Sequence, residues 1–128
     1  MITTLEWGER ELEGLRYEGY AYLKEGRWGD AITLFKALVA LAAESAEDWQ
    51  ALTALYLQKG EYALCLEASE RALALSPQDE MTRLNRAKAL LITGERAAGL
   101  ALATDLLTAQ SELILRSAEA LLLGYSFS

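Results

Sequence analysis

Histidine is absent from this chain, cysteine and proline each occur once, and bases are outnumbered by acids, 12 to 19. Without an imidazole there is no histidine general base, no hydrolytic triad and no ordinary zinc ligand set. The lone Cys65 permits no internal disulfide and suits a reducing compartment. A net charge of −7 opposes binding to nucleic-acid phosphates or anionic lipid. The longest run without a charged residue, Trp49 to Gln58, is half of the ~20 residues that a membrane span needs. The opening stretch MITTLEWGERELE carries acids where a signal peptide carries bases and an apolar core. No phosphate-cradling glycine motif occurs either. These absences predict a soluble, cytoplasmic protein that is not an enzyme and uses no cofactor or metal. They also predict no nucleic-acid binding and no membrane insertion.

What is present is alanine, leucine and a period. Gly26, Gly60 and Gly94 are spaced by 34 residues, as are Leu23, Leu57 and Leu91, and Ile32, Leu66 and Leu100. Tyr22, Tyr56 and Leu90 form a further column, and Trp28 and Tyr62 follow the first two glycines. Each glycine ends a helical pattern, where a residue free to adopt positive φ can satisfy the frayed carbonyls. Coincident columns at one period mark a repeat architecture. The chain therefore reads as three helical hairpins, about 12–45, 46–79 and 80–113, and a last helix about 112–123, in one domain over 1–128.

Three elements start on recognisable signals. Thr3 to Glu6 fits a capping box, and Ser45 with Asp48, and Ser76-Pro77 with Asp79, open the second and third hairpins. The carboxylates Glu44, Glu47, Asp48, Asp79 and Glu80 therefore read as helix-start groups rather than catalytic pairs. Cys65 falls in a small-residue column with Ala31 and reads as packing. Arg83, Arg86 and Lys88 read as a solvated face or as partners of nearby acids. The tail is apolar beyond what one buried face needs, with Leu113, Leu121, Leu122, Leu123, Tyr125 and Phe127, so part of it is expected to meet a partner or a second copy.

Function is then expected in a surface. In each first helix, residues spaced 3, 4 and 3 make a stripe turned away from the hairpin partner: Glu13, Arg16, Tyr20, Leu23; Glu47, Gln50, Ala54, Leu57; and Met81, Leu84, Lys88, Leu91. Stacked hairpins twist, so parallel stripes line an extended concave groove. The predicted peptide-binding groove comprises Arg16, Tyr20, Leu23, Gln50, Ala54, Leu57, Leu84, Asn85, Lys88 and Leu91. Leu23, Leu57 and Leu91 would form its apolar track, and Arg16, Gln50, Asn85 and Lys88 would hydrogen-bond a peptide backbone.

The middle copy, with Trp49, Leu52, Tyr56, Ala72 and Pro77, resembles the tetratricopeptide repeat. The first copy contributes Gly19, Tyr22, Ala31 and Phe35 but has Ala43 in place of the closing proline, and the third keeps Gly94 and the leucines without an aromatic. This resemblance implies an all-α fold of three tetratricopeptide-type hairpins stacked in a right-handed superhelix, closed by a C-terminal capping helix. From Gly19 to Glu95 the likeness narrows. The turn Gly26-Arg27-Trp28 with Ala31, the run Phe35-Lys36-Ala37-Leu38, the Gly60-Glu61-Tyr62 turn, and Ala87 to Leu91 with Gly94-Glu95 resemble the type III secretion chaperones of the SycD/LcrH translocator class. That resemblance implies a small acidic cytoplasmic chaperone. It would hold an extended segment of a secretion substrate in its groove, with Tyr20, Leu23, Ala54, Leu57, Lys88 and Leu91 as groove residues. The short segment before the first repeat and the missing charged tail resemble instead the shorter repeat chaperones that guard needle or export-gate components. The partner is thus a translocator, needle or export-gate protein, with a homodimer or heterodimer as further expectations. The alternative function is a generic repeat adaptor that clamps a partner's C-terminal carboxylate.

Overall fold

The computed structural model describes residues 7–126; the Thr3–Glu6 capping box and Phe127 lie outside the described residues. Seven α-helices follow one another without a strand among the described residues. They are α1 (Glu9–Lys24), α2 (Trp28–Leu41), α3 (Ala46–Lys59), α4 (Tyr62–Leu75), α5 (Glu80–Ile92), α6 (Arg96–Asp105) and α7 (Glu112–Ser126). A 3-10 turn, Leu106–Thr108, follows α6. Helices α1/α2, α3/α4 and α5/α6 pair as antiparallel hairpins, α2 meets α3, α4 meets α5, and α7 closes over α5 and α6. This is the stack of three hairpins with a covering helix that the 34-residue ladder predicts.

The same turn is built three times. Gly26, Gly60 and Gly94 have φ of 75°, 79° and 92°, a region that L side chains rarely enter. The N–H after each glycine reaches back to the carbonyl of Tyr22, Tyr56 or Leu90, at 2.9, 2.9 and 2.8 Å. Each glycine N–H bonds Leu23, Leu57 or Leu91, at 3.1, 3.1 and 3.2 Å. Two of the sequence columns are thus the acceptors that close each helix end. The next helix starts at once: Arg27, Glu61 and Glu95 carbonyls accept from the N–H of Ala31, Cys65 and Gly99.

Those last three residues form the small column along which the paired helices touch, and all are buried. Gly99 completes it in the third hairpin, where a Cβ would stand 2.7 Å from Leu91 Cγ. Gly19 plays the reciprocal part on α1, where a Cβ would stand 2.7 Å from the ring of fully buried Phe35. The main core joins Phe35, Leu38, Leu52, Leu55, Tyr56, Cys65 and Ala68 across the first two hairpins. A second cluster, Leu84, Leu106, Ile114 and Ala118, seats α7 on the third hairpin.

Caps depart from the expected pattern in one hairpin and keep it in another. Asp79 caps α5 by accepting from the Thr82 N–H at 3.0 Å. Ser45 stands at the N-cap of α3 but makes no side-chain cap, and Asp48 turns elsewhere. At α1 the Glu11 carboxylate accepts from the Gly8 N–H at 2.8 Å, half of a capping box, since glycine has no side chain to reciprocate. Glu80 reaches across 30 residues and accepts from the N–H groups of Gln110 and Ser111, tying the start of α7 to the start of α5. Burial pushes the Cys65 thiol up to about 11, in keeping with packing and not with a nucleophile.

The glycines of α1 give opposite expected outcomes. Gly19→Ala drives a methyl group into Phe35, which has no room to retreat, and lowers stability by about 1–3 kcal/mol. Gly14→Ala, which meets nothing within 4 Å, raises it by about 0.5–1 kcal/mol through helix propensity. Urea denaturation of the two variants checks both signs.

Candidate binding groove

The first helices of the hairpins carry the ten predicted groove residues, and the structure divides them into three groups. The first group is a polar lock between α1 and α3. The Arg16 guanidinium donates from Nε to Asp48 Oδ1 at 2.6 Å and from Nη2 to Asp48 Oδ2 at 2.8 Å. Its Nη1 donates to Glu13 at 2.9 Å, and Glu47 lies 3.8 Å from Nε. Arg16 is 9% exposed and Asp48 is 0% exposed. The hydrogen bonds to Asp48, opposed by desolvation, hold the arginine pKa above its ordinary value. Beside it, Tyr20 donates to Glu47 at 2.8 Å and sets its ring edge-on to Phe35 with centroids 5.2 Å apart. Burial, then the Glu47 bond, raises the Tyr20 phenol well above its usual pKa. Arg16, predicted as a donor to a peptide backbone, is thus engaged within the fold: Asp48 holds Nε and Nη2 across the two hairpins, and Glu13 holds Nη1 on its own helix.

The second group is core. Leu84 lies in the α7 cluster, Leu91 presses on Gly99, and both are buried. Asn85 is 7% exposed. The apolar track expected from Leu23, Leu57 and Leu91 thus stops short of the third hairpin, because α6 and α7 cover those side chains of α5. The basic cluster resolves similarly. Arg86 donates to the Leu66 carbonyl at 3.0 Å and to Ser69 Oγ at 2.7 Å, stapling α4 to α5, and Arg83 lies 3.9 Å from Asp105.

The third group remains accessible: Tyr20, Leu23, Gln50, Leu57 and Lys88 are half-buried, and Ala54 is exposed. Leu23 and Ala54 meet in a pocket of about 180 Å³ whose walls are completed by Trp28, Leu55 and Gln58. A second hollow of about 220 Å³ lies along α1 between Tyr17, Tyr20, Ala21 and Lys24. Sequence reasoning missed Trp28, Gln58, Tyr17 and Lys24. Gln58 and Lys24 were findable, since each lies one turn beyond a stripe residue, Ala54 or Tyr20. Chemically the surface offers an apolar socket, amide and ammonium groups at its margins, and no reactive side chain. Among the described residues no cluster of side chains could hold a metal ion, and no helix is long and apolar enough to cross a membrane.

Solved structures share this architecture over almost the whole chain. The type III secretion translocator chaperone SycD of Yersinia enterocolitica superposes with a TM-score of 0.84 at 22% identity, covering 95% of this chain and 88% of its own. PcrH, in complex with the chaperone binding region of PopD, gives 0.81 at 23% identity, covering 95% and 96%. The tetratricopeptide-repeat domain of Arabidopsis OM64 gives 0.79 at 16% identity, covering 88% and 94%. No protein-family model and no curated protein sequence matches the chain. The likeness is therefore one of fold: stacked tetratricopeptide-type hairpins, in the arrangement of the translocator chaperones.

The lock has a directional energetic signature. Removing the arginine (Arg16→Met) strands a fully buried carboxylate and costs about 3–5 kcal/mol. Asp48→Asn costs less, about 1.5–3 kcal/mol, because Glu13 and Glu47 still face the guanidinium. The double variant Arg16→Met/Asp48→Leu recovers most of the loss. Chemical denaturation of the three variants alongside the parent checks this order.

Proposed function

We propose that this protein is a type III secretion chaperone that binds an extended segment of a secretion substrate along its first-helix face and keeps it soluble until export. The observation that carries the reading is the apolar pocket between Leu23 and Ala54, open on a fold shared with translocator chaperones, one of which is solved with the chaperone binding region of its partner. An aliphatic side chain of the substrate enters this socket. Gln58 lines the socket, and in this reading it hydrogen-bonds the backbone that carries the anchor, with half-buried Gln50 and Lys88 as further donors along the face. Each buried aliphatic anchor contributes ~1.5–3 kcal/mol before ordering costs. Two or three anchors together contribute about 3–9 kcal/mol before those costs, so a micromolar complex, near −8 kcal/mol, also needs the hydrogen bonds to the substrate backbone. Such affinity suits a partner that must be released at the export gate. The acidic charge keeps the loaded chaperone away from anionic membrane surfaces, and the reading places it in the cytoplasm.

The generic adaptor that clamps a C-terminal carboxylate is less well supported. Such a clamp needs several free cationic and amide donors. Arg16 is spent on Asp48 and Asn85 is buried, which leaves Lys88 alone of the three. Two substitutions test the proposal. Ala54→Glu, at an exposed position, should leave thermal stability within about 0.5 kcal/mol and abolish co-purification of the substrate from the native cells. Ala101→Glu, at an exposed position of α6, should leave both unchanged. A peptide from the captured substrate should bind equally well with its C-terminus free or amidated; a large loss on amidation would favour the clamp.

A further inference from the structure

Helix α7 has two apolar faces, and the third hairpin uses one of them. Ile114 and Ala118 are buried against Leu84 and Leu106, with Leu121 packed beside them. On the opposite side Leu113 is 66% exposed and Leu123 is 68% exposed, large values for leucine on a helix held in place by its other face. Between them lie Arg116 and Ala120, both exposed. Leu113, Arg116, Ala120 and Leu123 are spaced 3, 4 and 3, the interval that keeps one seam along a helix facing a neighbouring helix. A further hollow beside this seam is walled by Leu107, Leu122, Leu123 and Glu119.

The order of these residues specifies the partner. We propose that the outer seam of α7 pairs with the same seam of a second copy of this chain, antiparallel, so that Leu113 faces the partner's Leu123 and Arg116 faces the partner's Ala120. The seam is self-complementary in this direction: large meets large at both ends, and at the centre the long arginine stem lies over a methyl group. The charges agree. Arg116 is flanked on its own helix by Glu112 and Glu119, at 3.2 Å each. In the antiparallel pairing each guanidinium also comes beside the partner's Glu119, so two cations and two anions alternate about the two-fold axis. A parallel pairing would stack Arg116 on the partner's Arg116, a like-charge contact at the seam. The interface is isologous and closes on itself, which limits assembly to a dimer. The first-helix pocket of each copy takes no part in it, so the dimer is independent of substrate binding.

One helix pair buries less than the ~1,600 Å² of a standard interface, so dissociation is expected at about 10–100 µM. The test uses cysteine placement on the full chain. Cys65 is buried and stays out of the chemistry. A mixture of Leu113→Cys and Leu123→Cys proteins, mildly oxidised at concentrations above that range, should form the mixed disulfide in at least tenfold excess over either variant alone. In sedimentation velocity, Leu113→Glu and Leu123→Glu, both at exposed positions, should each weaken the dimer at least tenfold while keeping the helical circular dichroism of the parent. A chain that stays monomeric into the submillimolar range overturns the proposal. So does a dimer that both glutamate variants leave intact, or a Leu113→Cys protein that cross-links to itself as well as to its counterpart.

Discussion

The first and third hairpins each depend on one close approach, in which a helix carries a residue small enough for a large side chain of its neighbour to sit against the backbone. Phe35 occupies the space above Gly19, and Leu91 occupies the space above Gly99. At such distances dispersion contacts are dense and the fit tolerates no added methyl group. The rest of the stack inherits this spacing. Because the helices of a hairpin are drawn together at the small column, the glycine turns at positions 26, 60 and 94 can be short and identical. Identical turns in turn present the first helices in a regular row. The pocket between Leu23 and Ala54 is a gap in that row, where an alanine on α3 leaves a socket instead of filling it.

Between the first two hairpins a different force operates. Arg16 and Asp48 join α1 to α3 through a two-pronged ion pair, and Tyr20 and Glu47 add a second bond beside it. Two prongs set distance and angle together, which a leucine contact would not. A buried pair of this kind contributes little net stability against an apolar replacement, so its evident role is to orient the two helices. Farther along the stack, α3, α5 and α7 adjoin one another through apolar packing, with Leu84 buried beneath α7. The accessible surface is accordingly uneven: polar and tethered at the first hairpin, with the apolar socket where the first hairpin meets the second.

The hairpin ladder was legible in the sequence because every visible column answers a backbone requirement. Glycine recurs where φ must be positive, leucine and tyrosine recur where a helix end closes, and alanine or cysteine recurs where helices touch. A period identifies equivalent positions, but it does not say which equivalents face each other across the stack. Arg16 and Asp48 are 32 residues apart, off the period, so nothing in the columns announced their pairing. Leu84 and Leu91 share a stripe with exposed residues of other repeats, yet they are covered because α7 and Gly99 lie over them. Pocket residues such as Trp28 come from a second helix and escape any reading confined to the first-helix stripe.

Cys65 stands at the centre of the middle hairpin, fully enclosed, and burial pushes its thiol up to about 11. A thiol in that position reacts only when the helices around it part, and then as quickly as any cysteine in a loose chain. The molecule therefore contains its own clock for internal breathing. The rate at which an alkylating reagent consumes this single sulfur reports how often the heart of the stack opens, with no label added and no residue changed.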